Sequence, residues 1–135
     1  MIVDTSAIVA VILREPEAEQ FETLIAAHLY PRLSAGSWVE LAAIMTRRLH
    51  GAHDENLDRL MTQWRLEIAP VTTAQAHIAR VAYRTYGIGS GHPARLNFGD
   101  CFSYALAKET GEPLLFKGDD FSRTDIAAAV RADGR

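Results

Sequence analysis

Five carboxylates pose the chemical question in this chain: Asp4, Glu40, Asp100, Asp119 and Asp120. Asp4 follows the β-branched run Met1 to Val3, Glu40 falls in the first turn after a weak strand pattern, Asp100 opens a helical pattern, and Asp119 and Asp120 follow a late apolar run. In a parallel sheet, strand ends of one sense lie on one edge, and ligands bind outside that edge. Acids distant in sequence can therefore converge there. Convergence brings strong mutual repulsion unless a cation enters. Hard divalent ions with oxygen ligands relieve it, and Mg²⁺ typically takes one or two direct carboxylates with water in its remaining positions. Each acid also has a purely structural use. Asp4, Thr5 or Ser6 can cap the following helix, Glu40 can close a capping box with Ser37, Asp100 can answer a helix dipole, and Asp119 and Asp120 can be turn residues. Their shared position at one predicted edge favours a site over four separate accidents.

The elements that must position these acids follow from the hydrophobic pattern. The run Ala7 to Leu13 continues from the first strand as a helix. Glu15-Pro16-Glu17 breaks and restarts it, and Ala18, Phe21, Leu24, Ile25 and His28 recur at helical spacing up to Tyr30-Pro31. Residues 33–36 form a weak strand candidate. Trp38, Leu41, Ala42, Met45 and Leu49 make one helical stripe closed by Gly51, and Leu57, Leu60, Met61 and Trp64 make another. Residues 66–71 have a short β pattern whose Pro70 suits an edge strand or a strand end. A helix from Thr72 to Gly87 precedes a glycine-rich stretch, 87–97, which lacks both the P-loop lysine pattern and the dinucleotide fingerprint. That stretch reads as a mobile active-site or partner loop. The helix from Gly99-Asp100 stops at Gly111 and Pro113, Leu114 to Phe116 is a buried strand, and residues 126–130 fit a last short strand or a helical turn. The expected architecture is α/β: a three-layer α/β/α sandwich around a mostly parallel sheet of four to five strands, in a single domain over residues 1–135.

Composition narrows the function classes. The chain is 48% apolar and 23% charged, with a formal net charge of −3. That is ordinary for a soluble intracellular protein, and the longest apolar run is too short to cross a bilayer, so a cytoplasmic location without membrane contact is expected. One cysteine, Cys101, excludes an internal disulfide and a multi-cysteine zinc site. His50 and His53 have no third ligand nearby in sequence and read as a solvated helix end. A net negative charge does not exclude nucleic acid, because a local basic rim can hold phosphates around an acidic centre.

Four stretches carry a family resemblance: Met-Ile-Val-Asp-Thr-Ser-Ala from Met1, Ser-x-x-Glu from Ser37, Leu-Asn-Phe-Gly-Asp-Cys-Phe-Ser-Tyr-Ala-Leu-Ala from Leu96, and Leu-Leu-Phe-Lys-Gly-Asp-Asp-Phe-x-x-Thr-Asp-Ile from Leu114. In this order and spacing the chain resembles the PIN-domain ribonucleases, and within them the VapC toxins of type II toxin–antitoxin pairs. The resemblance implies an endoribonuclease dependent on Mg²⁺, or Mn²⁺, that cleaves RNA, arrests translation and is silenced by a cognate VapB-type antitoxin. It implies Asp4 and Asp100 as principal metal ligands, Glu40 as a third acid, and Asp119 or Asp120 as the fourth. Thr5, Ser6 and Ser103 fall beside these acids, where a hydroxyl could position a carboxylate. Arg84, Arg95 and Lys117, with Arg47, Arg48 and Arg123, are candidates to neutralise RNA phosphates. A homodimer or a toxin–antitoxin hetero-oligomer is expected from the resemblance. The stripes Phe21, Leu24, Ile25 and Trp38, Leu41, Met45 are first of all core, with a groove for an antitoxin helix as their second use. The alternative is a catalytically inactive PIN-like module that binds RNA or a protein partner. A phosphotransfer receiver also begins with a strand ending in Asp, but it leaves residues 96–107 without a role.

Overall fold

A computed structural model describes residues 1–130; the last five residues of the expected 1–135 domain lie outside the described residues. The element order is β1 (Ile2–Val3), α1 (Thr5–Ile12), α2 (Ala18–Ala27), β2 (Arg32–Ser34), α3 (Ala35–Leu49), α4 (Asp54–Trp64), β3 (Glu67–Ala69), α5 (Thr73–Tyr86), α6 (Asp100–Thr110) and β4 (Leu114–Leu115), then a 3₁₀ turn at Phe121–Arg123. The strands form one sheet in the order β3-β2-β1-β4, and every pair is parallel. From β1 the chain works outward through β2 to β3, then returns to pair β4 with β1. The switch point of this topology thus lies between β1 and β4, outside whose carboxyl ends a crevice forms.

The pleat sends alternate side chains to opposite faces, so Ile2 and Leu114 join one core while Val3 and Leu115 join the other. All four are wholly buried. Burying such a side chain contributes about 1.5–3 kcal/mol, so these very short strands are held by both helical layers rather than by their ladders alone. The larger core lies under α1, α2, α3 and α4, and the smaller under α5 and α6. Phe21, Ile25, Leu41 and Met45 are core, while Leu24 and Trp38 are only partly covered. No helix among the described residues is long and apolar enough to cross a membrane.

The structure corrects several boundaries. Helix α2 ends at Ala27, before Tyr30-Pro31. Strand β2 ends at Ser34, and Ala35 and Gly36 open α3. The cap of α3 is Ser34, whose Oγ accepts from the Gly36 backbone N–H at 3.2 Å; the expected Ser37–Glu40 capping box is absent. Glycine is needed in this first turn because the Phe102 ring of α6 occupies the space a Cβ would take. Residues 126–130 form neither a full strand nor a helical turn: Leu114 donates to the Ala127 carbonyl and accepts from the Ala129 N–H, giving one parallel bridge beside β4. As expected, β3 is an edge strand and Thr72 caps α5 by accepting from the Gln75 N–H.

Candidate active site

At the carboxyl edge of the sheet, a cleft of about 400 Å³ is lined by Asp4, Glu40, Asp100 and Asp120 together with Thr5, Ser6, Asn97, Arg48, Lys117 and Glu15. Five acids line it: Asp4, Glu40, Asp100 and Asp120 from four separate segments, and Glu15, whose carboxylate is paired with Lys117. Asp4 is the residue that ends β1 and caps α1, so its structural and chemical uses coexist. It is 3% exposed. Its Oδ2 accepts from the Ser6 backbone N–H at 3.0 Å and from Ser6 Oγ at 2.7 Å, and its Oδ1 accepts from Ser103 Oγ at 2.5 Å. Ser6 Oγ in turn accepts from the Lys117 N–H at 3.0 Å, which ties the loop after β4 to the end of β1.

Glu40 stands in the second turn of α3 because that helix begins earlier than the sequence pattern indicates. Ile44 and Arg48 follow it at four-residue intervals and line the same cleft. The Glu40 carboxylate lies against Gly99, where a Cβ would collide with it, so glycine immediately before Asp100 is what lets α3 and α6 bring their acids together. Burial raises the Glu40 pKa, and the charge of Asp4 adds to the rise against the Thr5 hydroxyl and Arg47.

Asp100 is held by a reciprocal pair that the sequence reading did not single out. Asn97 Oδ1 accepts from the Asp100 N–H at 2.8 Å, and Asp100 Oδ2 accepts from the Asn97 N–H at 2.9 Å. This is a capping box spanning three residues, visible in principle as Asn-x-x-Asp at a helix start. The glycine-rich stretch before it is closed at its base by Ile88 donating to the Leu96 carbonyl and Leu96 donating to the Tyr86 carbonyl. Its end delivers Asn97 to the cleft. Burial pushes the Asp100 pKa up to about 7 against the Asn97 hydrogen bond, and the charges of Asp4, Asp120 and Glu40 push in the same direction.

Asp119 and Asp120 part company. Asp120 lines the cleft and bears on Asp100, whereas Asp119 offers its carbonyl to Ser122 Oγ at 2.6 Å in the turn that follows and does not line the cleft. The basic candidates also separate. Arg48 and Lys117 line the cleft, but the Lys117 ammonium is paired with Glu15 and, at 3.3 Å, with Glu17. Arg84 belongs instead to an apolar groove between α5 and α6. Arg123 reaches the Pro93 carbonyl at 3.5 Å, and Arg95 is exposed.

The donor set suits a hard cation: it is all oxygen, rich in carboxylate, and free of histidine and thiol. Among the described residues no group of three or more acids, histidines or cysteines is already drawn together as a coordination sphere.

Comparison with known proteins bears on what such a cleft does. The PIN domain family model matches residues 1–127. The chain is 51% identical to Ribonuclease VapC42 of Mycobacterium tuberculosis over 129 residues, covering 96% of this chain and 98% of that one. It is 46% identical over 130 residues to Ribonuclease VapC30 of the same species, with the same coverage. Among solved structures, Mycobacterium tuberculosis VapC20, described as a sarcin-ricin loop cleaving toxin, aligns with a TM-score of 0.72 at 18% identity, over 93% of this chain and 95% of that one. A toxin–antitoxin complex from Klebsiella pneumoniae aligns with a TM-score of 0.65 at 20% identity, over 90% and 89%.

Proposed function

The chain belongs to the PIN domain family, among the VapC ribonucleases of toxin–antitoxin pairs, and from that premise we propose that it is an endoribonuclease dependent on Mg²⁺ or Mn²⁺. The observation that carries the reading is the meeting of Asp4, Glu40, Asp100 and Asp120 in one cleft at the switch point of the sheet. Asp4 and Asp100 would hold the ion, with Glu40 and Asp120 at its margin. When bound, a divalent cation makes water acidic enough to supply hydroxide near neutral pH and offsets charge building on the phosphate oxygens.

The chain's own residues supply the rest. Ser6 and Asn97 fix the two principal acids by paired hydrogen bonds, so these carboxylates are oriented before substrate arrives. Glu40 stands at the cleft wall as the acceptor for a proton lost by the attacking water. Water oxygen bonds to phosphorus as one P–O bond to the departing ribose oxygen breaks. Arg48, eight residues along α3 from Glu40, offers the RNA backbone a cation in the same cleft. Lys117, already paired with Glu15 and Glu17, serves the loop first.

VapC toxins act opposite antitoxins, and a VapB-type antitoxin is the partner proposed here. A partner arginine entering the acidic cleft would silence it by charge neutralisation, and a homodimer is the expected assembly of the free toxin. The deciding experiment incubates antitoxin-free wild type and Asp4→Ala with mixed tRNA, ribosomal RNA and messenger RNA, each with Mg²⁺, with Mn²⁺ and with chelator. Discrete products that require both metal and Asp4 are expected, with a loss in the variant of more than about 100-fold, beyond that of a supporting residue. A folded wild type that binds RNA but yields no products in any condition would favour the inactive binding module.

A further inference from the structure

Two buried hydroxyls and one carboxylate form a chain across the three elements that deliver the principal acids. Ser103 lies one helical turn after Asp100 on α6, and Ser37 lies one turn before Glu40 on α3. Both serines are wholly buried. Ser103 Oγ donates to Asp4 Oδ1 at 2.5 Å, which uses its only hydrogen. The contact of 3.1 Å between Ser37 Oγ and Ser103 Oγ must therefore run from Ser37 to Ser103. The order of donation is Ser37, Ser103, Asp4.

The two oxygens of Asp4 are unequally occupied. Each carboxylate oxygen has about two lone-pair positions. Both positions of Oδ2 are taken by the Ser6 N–H and O–H, and the Ser6 hydroxyl is fixed in that role because it accepts from Lys117. Oδ1 accepts from Ser103 alone and keeps one position open. We propose that Ser103, backed by Ser37, is a positioning residue that makes Asp4 a one-oxygen ligand, presenting Oδ1 and not Oδ2 to a divalent cation. The inference rests on the metal-dependent reading above and adds which atom binds and what aims it. Without Ser103, Asp4 would keep its Ser6 bonds, but Oδ1 would no longer be fixed.

The test is calorimetric titration of Mn²⁺ alone into wild type, Ser103→Ala, Ser103→Thr and Ser37→Ala, with melting temperatures measured in chelator. Ser103→Ala should weaken Mn²⁺ binding by about 10- to 100-fold, the range for partners that orient metal ligands. Ser103→Thr, which keeps the donor, should stay within about threefold of wild type, and Ser37→Ala should lose roughly threefold, the scale of one hydrogen bond at one remove. A Ser103→Ala protein that melts lower yet binds Mn²⁺ as wild type does would show a merely structural serine and overturn the proposal. Should Ser103→Ala not fold, an unchanged Mn²⁺ affinity in folded Ser37→Ala overturns it equally. Wild type that takes up no Mn²⁺ would instead remove the metal-dependent reading itself, and the inference with it.

Discussion

The two ends of the sheet treat acidic residues in opposite ways. At the amino end, Glu112 stands before β4 and is answered from within the chain: the Met1 ammonium lies 2.6 Å from its Oε2, and Arg32 at the start of β2 pairs with its Oε1. Burial alone would raise the Glu112 pKa, but these two cations outweigh it and hold the carboxyl below the usual range. At the carboxyl end, Asp4, Glu40, Asp100 and Asp120 share a cleft, Asp100 is pushed up, and the one lysine lining the cleft is engaged with Glu15, a fifth acid of the same lining, and with Glu17. A carboxylate whose cation is supplied by the fold stabilises the fold. Carboxylates left to repel one another reserve their charge for something that arrives.

The sharpest way to test that contrast lies within one dipeptide. Asp119 and Asp120 are adjacent and both exposed, yet only Asp120 lines the cleft and acts electrostatically on Asp100. In the metal-dependent cleavage assay Asp120→Ala is expected to lose about 10- to 100-fold, the range seen when the surroundings of a metal site are removed. Asp119→Ala should stay within about twofold, as surface substitutions usually do. Equal losses in the two variants would mean that proximity to the cleft, not membership of it, sets the effect.

How far this division could be read from the sequence depends on the range of the interactions involved. Asp4 was legible because what marks it in the sequence is local: two β-branched residues, a carboxylate, then a helix, although the Ser103 bond that also holds it is not. The helices of α5 and α6 were legible for the same reason, through Thr72, Gly87 and Gly111. The start of α3 was not, because a glycine reads as a helix breaker, and the reason for it, the Phe102 ring packed where its Cβ would be, comes from the distant α6. That displaced start turned Ser37 from an expected cap into a buried donor to Ser103. Choosing between Asp119 and Asp120 needed the path of the turn after β4, and separating Arg48 from Arg84 needed to know which cleft each helix lines. Neither is written in spacing. The Asn97–Asp100 pair was readable as a capping box but was masked by the glycines that precede it.

Repulsion at the carboxyl end should also be measurable as stability. In metal-free protein Asp100 keeps its proton up to about pH 7, whereas in the unfolded chain it loses it near its ordinary value of 3.8. Between these values the folded state holds more protons, so this residue makes stability fall as pH rises through that window. Asp100→Asn removes the fall and retains an oxygen that can accept from the Asn97 N–H. Its melting temperature in chelator should exceed that of wild type by a few degrees at about pH 8, corresponding to about 1–2 kcal/mol after allowance for partial solvent screening. Near about pH 4 the two proteins should melt together. A variant less stable than wild type at about pH 8 would mean that the acids of the cleft are not in conflict.

The reverse sign is expected at the amino end, with a smaller amplitude. Glu112 has a depressed folded pKa, so its contribution is present above its unfolded value and is lost as pH falls through the folded one. Glu112→Gln leaves the Met1 ammonium and Arg32 without their shared carboxylate, and should cost about 1 kcal/mol near neutral pH, the scale of a partly buried charge-assisted hydrogen bond. The cost should shrink as pH falls below the ordinary glutamate value of 4.5 and vanish only below the lowered folded pKa, where the wild-type carboxyl is itself protonated. Cleavage should be unchanged, because Glu112 stands at the opposite end of the strands from the cleft. Melting curves of both variants across that pH range therefore cross the wild-type behaviour in opposite directions, one gaining and one losing as pH rises. If Glu112→Gln were instead stabilising near neutral pH, the Met1–Glu112–Arg32 cluster would be costing desolvation that its pairing does not recover, and the two ends of the sheet would differ in function without differing in electrostatic strain.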